Sequence, residues 1–148
     1  MKKSGLLLVL GSALLVAGCG TDAVSKESMT LYKSASCGCC RGWKDHMVNA
    51  GYDVNVVNLA DNDLPAIKRK YGIPPSLTTC HTAVIGDYVV EGHIPVRVVD
   101  KLLSEQPEID VIALAGMPSG SPGMPGPKTE MWNIFSLADG KLALYQKL

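Results

Sequence analysis

The sequence has no excess of charge of either sign: 14 lysines and arginines balance 14 aspartates and glutamates. Without a basic field nothing gathers a phosphate backbone, which excludes nucleic acid as a partner. Internal repeats are absent as well, which sets aside solenoids and arrays. No apolar stretch makes a comfortable membrane span, since the run from Leu6 to Val16 falls short of the roughly 20 residues a crossing helix needs. What is present is 47% hydrophobic and 19% charged, enough apolar material for a packed core and too much for a disordered chain. With 148 residues the chain makes one domain once any targeting segment is set aside.

The N-terminus carries such a segment. Lys2 and Lys3 form a positive region, and Leu6 to Val16 form an apolar one, the pattern of a cleaved export signal. Val16-Ala17-Gly18-Cys19 resembles the bacterial lipobox, which implies cleavage before Cys19 and acylation of its thiol. Residues 1–18 are then a lipoprotein signal peptide, 19–28 a lipidated tether and 29–148 the folded domain. The expected location is the periplasm, anchored to a membrane through lipid. Gly20 gives no inner-membrane retention signal, which favours the outer membrane. Lipidation also resolves the odd count of 5 cysteines, leaving Cys37, Cys39, Cys40 and Cys80. In a compartment that permits disulfides, these read as two bridges, one redox pair or a metal site.

Strand and helix signals alternate along the rest. Met29 to Ser34 reads as a strand ending at the cysteine cluster. Cys40, Trp43, Met47 and Ala50 fall on one helical stripe that Gly51 stops. Asp53 to Leu59 alternates as a strand does; Asp61 to Asp63 offer capping groups, Pro65 sits near a helix start, and Leu64, Ile67 and Tyr71 make its buried stripe. Thr82 to Ile85 and Tyr88 to Glu91 flank Gly86-Asp87 as a tight hairpin, and Pro95 opens a helix through Leu103. Met117 to Lys128 is Pro/Gly-rich, and Trp132 to Leu137 and Lys141 to Gln146 flank Asp139-Gly140, a second hairpin. The order predicts an α/β fold: a thioredoxin-like mixed sheet flanked by helices, with an added C-terminal Pro/Gly-rich loop and β-hairpin.

Cys37-Gly38-Cys39-Cys40 contains a C-x-x-C pair, Cys37 and Cys40, at a helix start, where the dipole and free N–H groups suit disulfide exchange or metal binding. Adjacent Cys39 and Cys40 point in different directions, so three thiolates this close suit bridging several ions better than surrounding one. Cys80 precedes the Thr82 strand, whose start faces the first helix in a thioredoxin arrangement. Cys80 and His81 stand where a thioredoxin keeps its proline, which weakens the oxidoreductase reading and supports a fourth metal-binding thiol. Structural zinc prefers two spaced pairs of ligands, a spacing this chain lacks. Iron–sulfur sites use other spacings and would require a cluster acquired outside the cytoplasm. Cu(I) accepts bridging thiolates and thioethers, and Met117 and Met124 lie in the flexible loop, so copper fits best.

Cys37-Gly38-Cys39-Cys40 with Trp43 and His46, Ser76 to Ala83 (SLTTCHTA), Glu91-Gly92-His93-Ile94-Pro95 and Gly116 to Met124 (GMPSGSPGM) together resemble the CopG-like family of bacterial copper-resistance proteins. The resemblance covers nearly the whole mature chain. It implies a thioredoxin-like fold whose cysteines bind copper as a thiolate-bridged multinuclear cluster, and a role in periplasmic copper tolerance. Cycling of Cu(I) and Cu(II) is conceivable for such a family. The partners expected are copper ions, the membrane and other periplasmic copper-handling proteins. Beyond the cysteines, His81 is the first candidate for an added ligand, ahead of His46 and His93, and Met117 and Met124 are either ligands or gap-fillers. Trp43 and Trp132 read as core aromatics. The competing function is a thioredoxin-like thiol–disulfide oxidoreductase built on Cys37 and Cys40.

Overall fold

A computed structural model describes residues 26–148; the expected signal peptide of residues 1–18 and the expected lipidation site Cys19 lie outside them. The chain runs β1 (Ser28–Ser34), α1 (Gly38–Asn49), β2 (Asp53–Leu59), α2 (Leu64–Lys70), a 3-10 turn (Pro75–Leu77), β3 (His81–Ile85), β4 (Tyr88–Gly92), α3 (Val96–Glu105), β5 (Val111–Leu114), β6 (Asn133–Ala138) and β7 (Lys141–Lys147). The strands form one mixed sheet in the order β2-β1-β3-β4-β5-β6-β7. β1 is parallel to β2 and β4 to β5, each pair joined through a helix; the other neighbours are antiparallel. None of the described helices is long and apolar enough to cross a membrane.

Alternation along the strands builds two cores. Leu31, Ala83, Ile85, Val90, Ile112 and Ile134 pack with Trp43 and Met47 of α1 and with Val98, Val99 and Leu102 of α3. Val89, Val111, Ala113 and Leu137 face the other way, against Ile73 and Leu77. Both tryptophans, Trp43 and Trp132, belong to the first core. The N-terminal end of the described chain is tied down: the Lys26 N–H donates to the Gly51 carbonyl at 3.2 Å, and Lys26 Nζ and Tyr52 Oη both bond Asp100.

Two elements depart from expectation. Nothing in the pattern marked β5, because Val-Ile-Ala-Leu is a short continuous apolar run with no alternation. Its position between β4 and β6 explains this, since all of its residues are buried. On α2 the buried residues are Leu64 and Lys68, whereas Ile67 and Tyr71 are half-buried. A lysine replaces the expected apolar stripe because a buried carboxylate, Glu91, receives it. The Asp139-Gly140 turn has positive φ at both residues, 48° and 72°, as a two-residue hairpin of this hand requires.

Candidate metal centre

The turn out of β1 closes with the Cys37 N–H donating to the Ser34 carbonyl at 3.1 Å. Cys37 caps α1, its Sγ accepting the Cys40 N–H at 3.3 Å. The cysteine motif therefore occupies the first turn of a helix, where N–H groups lack intrahelical partners. Cys40 turns into the core beside Trp43 and Met47, whereas Cys39 is half-buried and turns toward Cys80. Cys80 arrives from the opposite side. It precedes β3, whose pairing with β1 at Lys33↔His81 brings it to the end of β1 where α1 begins.

The sulfurs converge. Cys39 Sγ lies 3.5 Å from Cys37 Sγ and 3.7 Å from Cys80 Sγ, and all four Sγ atoms fall within 4.8 Å of one another. Cys37 and Cys40 are joined as a disulfide, while Cys39 and Cys80 are free thiols. Burial, reinforced by the neighbouring Cys39, pushes the Cys80 thiol up to about 12. In the metal-free protein Cys80 is thus a protonated thiol at neutral pH.

A second group shares Cys80: its sulfur, His81 and His93 place donor atoms within 4.8 Å of one another. His93 Nδ1 sits 2.7 Å from the Pro122 carbonyl oxygen. A carbonyl only accepts, so Nδ1 carries the proton and donates it, leaving Nε2 with its lone pair. That bare nitrogen lies 3.0 Å from Cys80 Sγ. A histidine anchored through one nitrogen with the other free is the arrangement metal-ligating histidines adopt. His81 is fully buried, its ring 4.7 Å from Trp43 and 4.8 Å from His93. Its Nδ1 lies 3.6 Å from Cys80 Sγ, and its Nε2 is buried with no hydrogen-bond partner. Burial lowers the affinity of both imidazoles for a proton; Pro122 pulls His93 partly back, while His93 and Lys68 push His81 further down.

The remaining candidates separate. His46 Nε2 accepts the Val96 N–H at 3.3 Å and so caps α3. Met124 is half-buried in the Pro/Gly-rich loop, and Met117 is exposed with φ 46°. The loop itself sits on the cysteine helix: an added Cβ on Gly123 would collide with the Cys39 carbonyl and lie 2.6 Å from the Trp43 nitrogen, and one on Gly42 would lie 2.8 Å from Gly123 Cα. The Gly42–Gly123 contact and the buried charges Lys68 and Glu91 carried no periodic signal. Adjacency to Cys80 had favoured His81 over His93, yet His93 presents the nearer nitrogen.

The fold and the site together define a mixed α/β protein with a candidate soft-metal centre at one end of its sheet. No curated protein matches the chain. A family model described as "Protein of unknown function, DUF411" matches residues 77–124. Two solved structures are similar along most of the chain. One, named copper resistance protein copG, form 2, is 32% identical, covers 82% of this chain and 98% of its own, and superposes with a TM-score of 0.75. Form 1 is 33% identical over 82% of this chain and 97% of its own, with the same TM-score of 0.75. The chain belongs to the CopG-like family of copper resistance proteins.

Proposed function

We propose that this protein binds copper in copper resistance, holding Cu(I) through Cys37, Cys39, Cys40 and Cys80. The observation that carries this reading is the convergence of four sulfurs within 4.8 Å. Loading requires the Cys37–Cys40 disulfide to open, taking two electrons and two protons from a dithiol reductant to give two thiols. Three of the thiolates then come from one helical turn and the fourth from across the sheet, a set suited to a bridged, multinuclear copper–thiolate cluster. His93 Nε2 and His81 are the nitrogen donors within reach of Cys80, and Met124, then Met117, are the thioether candidates of the loop. The disulfide is also a two-electron store. With Cys37 and Cys40 reduced, two Cu(II) ions each taking one electron would re-form it, releasing two protons and leaving two Cu(I), which is the route for copper redox activity. We place the protein in the periplasm, held to a membrane by lipid on Cys19, where other copper-handling proteins would load and unload it.

Anaerobic Cu(I) loading of the reduced mature protein tests the reading. More than one copper per chain is expected, with Cys37, Cys39, Cys40 and Cys80 all protected from alkylation. A single tightly held zinc that Cu(I) does not displace would overturn it. For the anchor, Cys19→Ser should release the protein from membranes; unchanged membrane retention counts against lipidation at that site.

The disulfide at the N-terminus of α1 specifically favours one second reading, a thiol–disulfide oxidoreductase using Cys37 and Cys40. Insulin reduction separates the two. Negligible turnover is expected, and robust activity that survives Cys80→Ser would install the second reading in place of the first.

A further inference from the structure

Glu91 is a carboxylate with 0% exposure, in β4 next to the segment that carries His93. Its neighbour Val90 faces the α1 core, so alternation sends Glu91 to the opposite face, toward α2. There Oε1 accepts from Lys68 Nζ at 2.6 Å, from the Thr79 N–H at 2.6 Å and from Thr79 Oγ1 at 3.0 Å. Oε2 accepts from Thr82 Oγ1 at 2.6 Å, and the Thr82 hydroxyl in turn accepts from Lys68 Nζ at 3.2 Å. Every oxygen of the carboxylate is satisfied.

Stability alone does not account for this pair. Taking both charges out of water is expensive, and a well-packed apolar pair of similar volume is often as good or better. What a carboxylate does here that an apolar side chain cannot is grip a backbone N–H, and the residue it grips is the one before Cys80. The next residue, Gly92 (φ 80°), leaves room for that approach: an added Cβ there would lie 2.9 Å from both Thr79 Cγ2 and Thr79 Oγ1. One residue further, His93 Nε2 meets Cys80 Sγ at 3.0 Å. Glu91 and His93, either side of Gly92, thus hold Thr79 and Cys80 by amide, hydroxyl and sulfur.

We propose that Glu91, neutralised by Lys68, is a positioning residue for Cys80, fixing the Thr79 backbone so that the Cys80 sulfur meets Cys39. The importance of that placement rests on the copper-binding reading, but the placement is measurable without copper. The test is site-resolved iodoacetamide alkylation of the reduced, metal-free mature protein, taking the ratio of Cys80 to Cys39 rates. In the double variant Glu91→Leu/Lys68→Met, which removes both charges together, the ratio should rise about tenfold or more, as expected for loss of a charge-assisted bond that closes the segment. Glu91→Gln/Lys68→Met keeps an oxygen for the Thr79 N–H without stranding the lysine charge, and should leave the ratio within about threefold of wild type. Loss of thermal stability with an unchanged ratio in the double variant would reduce Glu91 to a structural role and overturn the proposal. Should the double variant not fold, hydrogen exchange at the Thr79 amide of the wild-type protein decides: protection supports the grip, and exchange at the unprotected rate refutes it. In parallel, Cu(I) should protect four cysteines in wild type and leave Cys80 open in the double variant. A wild type that binds no Cu(I) defeats the copper reading, while the alkylation ratio still decides the positioning.

Discussion

Cys80 keeps its proton at neutral pH because burial and the adjacent Cys39 disfavour the thiolate. Any soft cation it takes must displace that proton, so binding is coupled to pH. The sign follows directly. Fewer protons compete as pH rises, so the apparent Cu(I) affinity of the reduced protein should climb by about tenfold per pH unit for each thiol proton displaced. Competition against a Cu(I) chelator across a pH series measures the slope. Cys80→Ser should lower that slope by one proton, and an unchanged slope would show that Cys80 is not displaced. The cysteines themselves were legible as residues: C-x-C-C announces a thiol cluster, and Cys80 is the one cysteine outside that motif among the described residues. The histidine ranking was not. His93 reaches Cys80 because β3 and β4 close as a hairpin that lays residues 80 and 93 side by side, and linear adjacency favours His81 instead.

Among elements, the Pro/Gly-rich loop acts as a strap across α1. It holds His93 in one tautomer through the Pro122 carbonyl, and it reaches that place because Gly42 and Gly123 let two backbones touch. Gly123 has φ 85°, so Gly123→Ala would bring backbone strain as well as a clash with the helix. The expected cost is about 1–3 kcal/mol of stability, with the loop becoming protease-sensitive and the His93 ring losing its fixed tautomer in nitrogen NMR. A variant that keeps wild-type His93 shifts would show that the strap does not orient it. A second link joins α1 to α3, where His46 accepts the Val96 N–H and must be neutral to do so. Burial lowers its pKa below the ordinary 6.5. The unfolded chain therefore takes up the proton first. This contribution is complete above pH 6.5 and is lost as pH falls through 6.5 toward the depressed folded value. A protonated ring would also face the positive end of α3. Thermal melts from pH 8 to 5 should show a smaller acid-side decline in His46→Gln, which keeps an acceptor that does not titrate. An identical decline in both proteins would assign the pH dependence elsewhere. At this scale the hairpins were readable from Gly86-Asp87 and Asp139-Gly140, because turn chemistry is local. β5 was not, because burial on both faces erases the alternation that marks a strand.

For the whole molecule, the ligand set divides by distance along the chain. Cys37, Cys39 and Cys40 are sequence neighbours, and they remain so when the protein unfolds. Cys80 lies 41 positions from Cys39 and meets it only through the β1–β3 pairing and the hold of Glu91 on Thr79. A ligand stabilises a fold only by the difference between its affinities for folded and unfolded chains. Copper held by the local three alone would bind both states almost equally, and stabilisation must come through Cys80. Cu(I) loading of the reduced wild-type protein should therefore raise its Tm by about 5 °C or more, roughly 1–2 kcal/mol for a domain of this size. In Cys80→Ser the rise, taken between loaded and metal-free forms of that same variant, should be less than about 2 °C even though copper still binds. Differential scanning calorimetry under anaerobic conditions reads both numbers. Equal rises in the two proteins would mean that the local cysteines carry the site by themselves. A rise confined to wild type would show that the centre and the fold close together, with Cys80 as the joint between them.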